Sequence, residues 1–280
     1  MKKVLPLLVS LVVCPLFSFA QSNVPLGVAG NFAVLANSTV TNTGNSVITG
    51  NVGLSPGTAL TGFPPGIVTP PSGIDAADPA AASAQAALTT AYNMAAGQMP
   101  THVLTGQNLG GLTLGPGVYF YSSSAQLTGT LILNGAGFYV FQIGSTLTTA
   151  SGATVVVENG ALASSVFWQV GSSATLGSGT TFIGNILAMD SITNASSGVV
   201  AGRLLARTGA VTLADITLTF PPGIPAGGLG GPPPLAATPV PSSWILVLIG
   251  LACTMLYETR RRWLRRFRQR SVPGWVPKPR

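Results

Sequence analysis

The sequence predicts a mainly β protein built as a β-solenoid with one long helix packed along its side. Three observations predict it: a repeat, the alternation inside the repeat, and a single alanine-rich stretch. The segment Phe141-Gln-Ile-Gly-Ser-Thr-Leu-Thr-Thr-Ala-Ser-Gly-Ala-Thr-Val155 meets 168–182 at an offset of 27 residues, without a gap and with 7 of 15 positions identical. A step of 18 then takes Gly184-Asn-Ile-Leu-Ala188 onto Gly202-Arg-Leu-Leu-Ala206, and Ala174-Thr175 onto Ile192-Thr193. Short β-rich runs closed by Gly turns cannot each bury their own apolar side chains, so coils of this length must stack. The 27-residue step is then one coil carrying a loop at 158–165.

Side chains alternate faces along a strand, so the repeats also state which residues point outward. Aligned on their apolar middle residues, the coils read Gln126-Leu-Thr128, Thr146-Leu-Thr148, Ser173-Ala-Thr175, Ser191-Ile-Thr193 and Ala210-Val-Thr212. The middle residue faces the interior, and its two neighbours face solvent. Within a strand those neighbours stand roughly 6.6–6.8 Å apart, and successive coils repeat at about 4.7–4.9 Å. The expected product is a flat, uncharged grid of hydroxyls and methyls made of these ten residues. A second ladder, Thr130, Thr154, Thr181 and Thr217, is broken where one coil offers Val199-Val200.

Taken in order, the chain opens with Met1-Lys-Lys-Val, an apolar run over 5–19 and the small-residue site Ser18-Phe19-Ala20, so residues 1–20 read as a secretory signal peptide. Removing it takes away Cys14. Cys253 lies in a C-terminal apolar run, so the body has no disulfide or thiolate metal site to draw on. Residues 23–70 alternate and break at Gly and Asn as solenoid coils should, and Phe63-Pro-Pro-Gly66 with Pro70-Pro-Ser-Gly73 is expected to end the sheet. A helix is expected over about 75–97: Asp75 or Asp78 caps it, Pro79 suits its first turn, and Gly97 ends it. Its alanine density gives a thin profile that can lie closely against a sheet.

The formal charge of +7 belongs to the two ends. Within 21–220 the only basic side chains are Arg203 and Arg207, against Asp75, Asp78, Glu158, Asp190 and Asp215. Such a body lacks the basic footprint that nucleic acid demands. Hydrolase or lyase chemistry on a β-solenoid needs clustered carboxylates, a base or a metal. Asp190 aligns instead with Ser172 and Thr208, Arg203 and Arg207 with Asn185 and Met189, and His102, the single histidine, stands alone near a turn. No catalysis, cofactor or metal is expected.

Several motifs carry a more specific resemblance. Leu26-Gly27, Asn31-Phe-Ala-Val-Leu-Ala36, Ser38-Thr-Val-Thr-Asn-Thr-Gly44, Gly50-Asn-Val-Gly-Leu-Ser-Pro-Gly57 and Thr61-Gly-Phe-Pro-Pro-Gly66 resemble the microbial ice-binding protein family. So do Leu112-Thr-Leu-Gly-Pro-Gly-Val-Tyr119, Val166-Phe-Trp-Gln-Val-Gly171 and Gly202-Arg-Leu-Leu-Ala-Arg207, in order over 24–220. The resemblance implies a right-handed, triangular, parallel β-solenoid flanked by its helix, which adsorbs to ice through one flat face without metal or cofactor. The alternative is a non-catalytic cell-surface adhesin or extracellular matrix protein that uses the flat face for polysaccharide or another surface, for which exposed aromatic residues that stack on sugars would be the mark.

Beyond 220 the composition changes. Residues 221–241 form a Pro/Gly-rich linker, 242–258 a short apolar helix, and 259–280 a basic tail expected to stay cytoplasmic. Proline motif, apolar helix and arginine cluster resemble the PEP-type C-terminal sorting signals of Gram-negative bacteria, with Pro239-Val-Pro241 standing where that family has Pro-Glu-Pro. The resemblance implies an exported protein at the cell surface or outside the cell, held at least transiently in the inner membrane by 242–258 and met there by a processing enzyme.

Overall fold

The computed structural model describes residues 23–219. The expected signal peptide, linker, apolar C-terminal segment and basic tail fall outside them. Nearly all strands pair in parallel with partners one coil away, giving a three-faced solenoid.

One face runs His102–Val103, Gly117–Tyr121, Tyr139–Ile143, Val166–Val170, the second halves of Thr181–Ala188 and Val199–Ala206, then Phe32–Ala36, Asn51–Leu54 and Ile74–Ala76. The next runs Ala125–Leu127, Leu147–Thr149, Ala174–Leu176, Ile192–Asn194, Val211–Ala214, Thr39–Thr43 and Ala59–Thr61. The third holds Thr113–Leu114, Thr130–Asn134, Thr154–Glu158, the first halves of the two long strands, Thr217–Thr219, Val47–Thr49 and Ile67–Thr69.

The order of coils in space is not their order in sequence. The N-terminal coils stack on the last coil of the chain: Val34 pairs with Leu204, Val40 with Val211, and Val47 with Thr217. The chain therefore begins inside the stack, winds out to one end, crosses to the other by the helix, and winds back to meet its own start. The helix Pro79–Ala96 supplies the crossing. Its 18 residues reach about 27 Å at 1.5 Å per residue, most of the ~38 Å of the eight strand intervals between Ile74–Ala76 and His102–Val103, and the short segments at its two ends supply the rest.

The helix begins later than the sequence indicated. Asp78 is its cap, accepting the Ala81 amide at 2.8 Å, while Ile74–Ala76 is a strand paired with Asn51–Leu54. The two proline segments do not end the sheet either. They form turns between Ala59–Thr61, Ile67–Thr69 and Ile74–Ala76, an outermost coil with one unpaired edge, where a missing N–H is tolerated. The 27-residue step does carry its loop, strands ending at Glu158 and resuming at Val166.

Ala81, Ala84, Leu88, Ala91, Tyr92 and Ala95 form one buried stripe on the helix, packed with Leu35, Val118, Val140, Phe167, Leu187 and Leu205 of the first face. Polar ties fix its position. Gln142 donates from Nε2 to the Ala95 carbonyl at 2.8 Å and to the Gln98 carbonyl at 2.7 Å, satisfying carbonyls that a helix C-terminus leaves open. Gln169 donates to the Tyr92 hydroxyl at 2.7 Å, and the Arg207 guanidinium lies 4.6 Å from the centroid of the Tyr92 ring. Inside the solenoid, Tyr119, Phe141 and Trp168 stack at 5.2 and 3.9 Å between centroids, one ring per coil, and Trp168 Nε1 donates to the Ile183 carbonyl at 3.0 Å. The helix closes the first face, so the second and third remain for function.

Candidate functional site

On the second face the backbone register runs Gln126, Thr148, Thr175, Thr193, Thr212, Thr41 and Thr61. Ala125, Leu147, Ala174, Ile192, Val211, Val40 and Leu60 form the inward row beside it. A parallel outward row lies one residue before those: Ser124, Thr146, Ser173, Ser191, Ala210, Thr39 and Ala59. None of these outward positions carries a charge or an aromatic ring. Two parallel rows of uncharged residues, their rungs one coil apart throughout, make a regular lattice.

Eight of the ten sequence-predicted residues stand where the alignment placed them: Thr146, Thr148, Ser173, Thr175, Ser191, Thr193, Ala210 and Thr212. The first coil is displaced. Gln126 pairs with Thr148, not with Thr146, and Thr128 lies past the strand, its amide bonded to Asn108 Oδ1 at 3.0 Å. Ser124 takes the vacant place, with Thr146 Oγ1 donating to its hydroxyl at 2.9 Å. A two-residue slip keeps every apolar residue inward, so alternation alone could not detect it. Four positions on two coils were missed altogether, Thr39 and Thr41 on one and Ala59 and Thr61 on the other. Only the docking of the N-terminal coils brings them onto this face.

Buried polar residues close the corner where this face turns into the third. Thr149 Oγ1 accepts the Gly177 amide at 2.9 Å, Asn194 Nδ2 donates to the Ala214 carbonyl at 2.9 Å, and Asn42 Nδ2 to the Gly62 carbonyl at 2.8 Å. At the opposite corner glycines stack. A Cβ on Gly171 would stand 2.5 Å from the Gly144 carbonyl oxygen, so only a bare backbone lets the coils close up there. Flatness is thus held from both edges.

The acid and base candidates are spent on structure. Asp190 accepts from the Ser172 hydroxyl at 3.1 Å and from the Thr208 hydroxyl at 3.1 Å. Arg203, fully buried, donates to Asn185 Oδ1 at 2.7 Å and from Nε to the Gly30 carbonyl at 3.1 Å, and burial lowers its pKa to about 10. Arg207 Nη1 lies 3.4 Å from Met189 Sδ. His102 stacks on Tyr119 at the end of the aromatic column. Burial, and then the neighbouring Asp78 charge, raises the Asp75 pKa. Among the described residues no group of three or more His, Cys, Asp or Glu is placed to hold a metal. A polar cleft lined by Gly106, Gln107, Asn108, Ser124 and Gln126 sits at the end of the face, without an acid or a base in it.

The third face carries the second ladder in register: Thr130, Thr154, Thr181, Val199, Thr217, Val47 and Ile67. It is the less regular of the two, and Thr154 turns its hydroxyl to the Gly152 carbonyl at 3.3 Å.

Fold and face together define a β-solenoid protein that presents an uncovered sheet bearing a repeating lattice of neutral groups. The comparisons with known proteins place it further. The family model described as "Ice-binding-like" matches residues 34–219. An ice-binding protein of Nostoc sp. (strain HG1) is 49% identical over 255 residues, covering 89% of this chain and 88% of that protein. One of Flavobacterium frigoris (strain PS1) is 35% identical over 212 residues, covering 71% and 76%. Among solved structures, an ice-binding protein from an Antarctic biological consortium superposes with a TM-score of 0.69 at 43% identity, covering 78% of this chain and 96% of that one. That of the Antarctic ascomycete Antarctomyces psychrotrophicus gives 0.67 at 39%, covering 71% and 98%. The chain belongs to the ice-binding protein family.

Proposed function

We propose that this protein adsorbs to ice through the second face and thereby inhibits ice growth or recrystallisation. The observation that carries the reading is the run of four in-register threonines, Thr148, Thr175, Thr193 and Thr212, on consecutive coils of an uncharged flat sheet. Each threonine offers a methyl that limits bulk-like hydration and a hydroxyl that anchors one water, and the coil repeat of about 4.8 Å sets those waters on a lattice. Charged side chains would hold their own hydration shells and spoil that order. The adhesin alternative loses support on the same surface, since neither row holds an aromatic ring on which a sugar could stack.

To test it, the labelled protein is placed around a single growing ice crystal beside a Thr148→Tyr variant. Wild-type protein is expected to enter the ice and the variant to be excluded. Exclusion of a folded wild type refutes ice binding.

Placement in the cell follows from sequence features alone. Residues 1–20 direct export, 242–258 hold the protein in the inner membrane at least transiently, and Pro239-Val-Pro241 with the arginine cluster marks it for processing. Fractionating cells that express the full chain and a chain ending at 220 checks this: the full chain is expected with membranes or the cell surface, the shortened one in the medium. Identical distributions refute the anchor.

A further inference from the structure

We infer that the ice contact is a single row of six threonines crossing the junction between the two ends of the solenoid, so that Thr41 and Thr61 belong to the site and the serines of the neighbouring row do not. This rests on the ice-binding reading of the second face.

The first ground is what the hydroxyls already do. Ser191 Oγ accepts the Ala210 amide at 3.1 Å, and Ser173 Oγ accepts the Ser191 amide at 3.3 Å. Thr146 Oγ1 is turned to Ser124 at 2.9 Å. Four of that row's five hydroxyls tie coil to coil, Thr39 being the exception, and the row lapses to bare methyls at Ala210 and Ala59. In the other row the hydroxyls of Thr148, Thr175, Thr193, Thr212, Thr41 and Thr61 have no hydrogen-bond partner among the described residues. Each therefore keeps one donor and two acceptor sites for water.

The second ground is register. Thr212 pairs with Thr41, and Thr41 with Thr61, so the row passes from residues near the C-terminal end of the body to residues near its start without losing a rung. Four threonines at a coil repeat of about 4.8 Å extend ~14 Å, and six extend ~24 Å. The N-terminal coils thus add most of a second stretch of matched lattice, and every rung must release its water together for the protein to leave the ice.

The junction is built to hold that match. The amides of Asn37 and Ser38 donate to the Gly209 carbonyl at 3.1 and 3.2 Å, just before the rung, and the Asn45 amide donates to Asp215 Oδ1 at 2.8 Å, just after it. A Cβ on Gly57 would stand 2.0 Å from the Ser38 carbonyl oxygen, so glycine there lets the outermost coil close onto its neighbour.

The experiment compares ice uptake and Tm of the labelled full chain carrying Thr41→Tyr, Thr61→Tyr, Thr61→Lys, Thr175→Tyr or Ser191→Ala. Thr41→Tyr and both Thr61 variants are expected to lose uptake as Thr175→Tyr does, with Tm held within about 2 °C. Thr61→Lys, at an exposed place on an edge strand, gives the same readout without a bulky ring. Ser191→Ala is expected to lower Tm and keep wild-type uptake. If the Thr41 and Thr61 variants enter ice like wild type while Thr175→Tyr is excluded, the site stops at Thr212, and this inference falls while ice binding stands. If Ser191→Ala loses uptake at unchanged Tm, the division between rows falls. If wild type is itself excluded, the ice-binding reading has failed and takes the inference with it.

Discussion

Gly171→Ala tests whether the spacing of the coils, and not only the identity of the threonines, makes the surface. Gly171 belongs to neither outward row, and its backbone lies outside the left-handed region, so alanine there meets steric resistance alone. Its new Cβ would stand 2.5 Å from the Gly144 carbonyl oxygen, 2.8 Å from the Gly144 carbonyl carbon and 3.0 Å from the Ile143 carbonyl oxygen. All three are backbone atoms that no rotamer change can move aside. To reach even the closest ordinary contact the two coils must part by at least about 0.5 Å, roughly a tenth of the strand repeat. The separation acts on the bonds from the Gly171 amide to Ile143 at 2.7 Å and from the Ser172 amide to Ser145 at 2.9 Å, two and one residues before Ser173. Overpacking of this kind costs about 1–3 kcal/mol. At about 2–4 °C per kcal/mol for a body of this size, Tm should fall by ~2–12 °C. Calorimetry gives the Tm, and uptake into a growing ice crystal, measured well below that Tm, gives the function. The expected result is a folded protein with reduced uptake, because the Thr148–Thr175 step no longer equals its neighbours. Unchanged Tm together with wild-type uptake would refute the claim that stacked glycines set the lattice.

Two further outcomes are expected. Gln142→Leu removes the hydrogen bonds from its side chain to the Ala95 and Gln98 carbonyls, at a cost of about 0.5–1.5 kcal/mol for each bond; amide exchange should rise in the last helical turn while ice uptake below the lowered Tm is retained. Stability should also fall in alkali. Burial pushes Tyr119 (with a smaller push from Tyr139) and Tyr121 up to about 12, so above pH 10 the unfolded chain releases two protons that the folded chain keeps. Arg203, lowered by burial to about 10, works in the opposite sense by one proton. Tyr92 and Tyr139, also raised by burial, add to the tyrosine side, so stability falls above about pH 10, seen as a falling Tm, and a Tm that rises there would reverse the assignment. Ice uptake itself should stay level from acid to mild alkali, as neither outward row contains a titratable group.

The sequence by itself determined the coil. Its repeat length, the inward residue of each rung, the loop after Glu158 and the stacking of Thr148, Thr175, Thr193 and Thr212 were all legible, because each coil pairs with a near copy of itself and alternation has only two phases. Asp78 and Pro79 likewise announced the helix, although the preceding Ile74–Ala76 strand was hidden by its lack of a repeat partner. The tertiary structure alone decided the register of the first coil and the meeting of the two chain ends. A slip of two residues leaves the apolar pattern of Ala125 and Leu127 unchanged, so only the hydrogen bonds of the stacked strands choose between them. The placing of Thr41 and Thr61 depends on a contact between residues some 170 positions apart, from Val40 to Val211. No local periodicity encodes that contact, because it arises from a helix long enough to carry the chain past the stack and let its last coil close on its first.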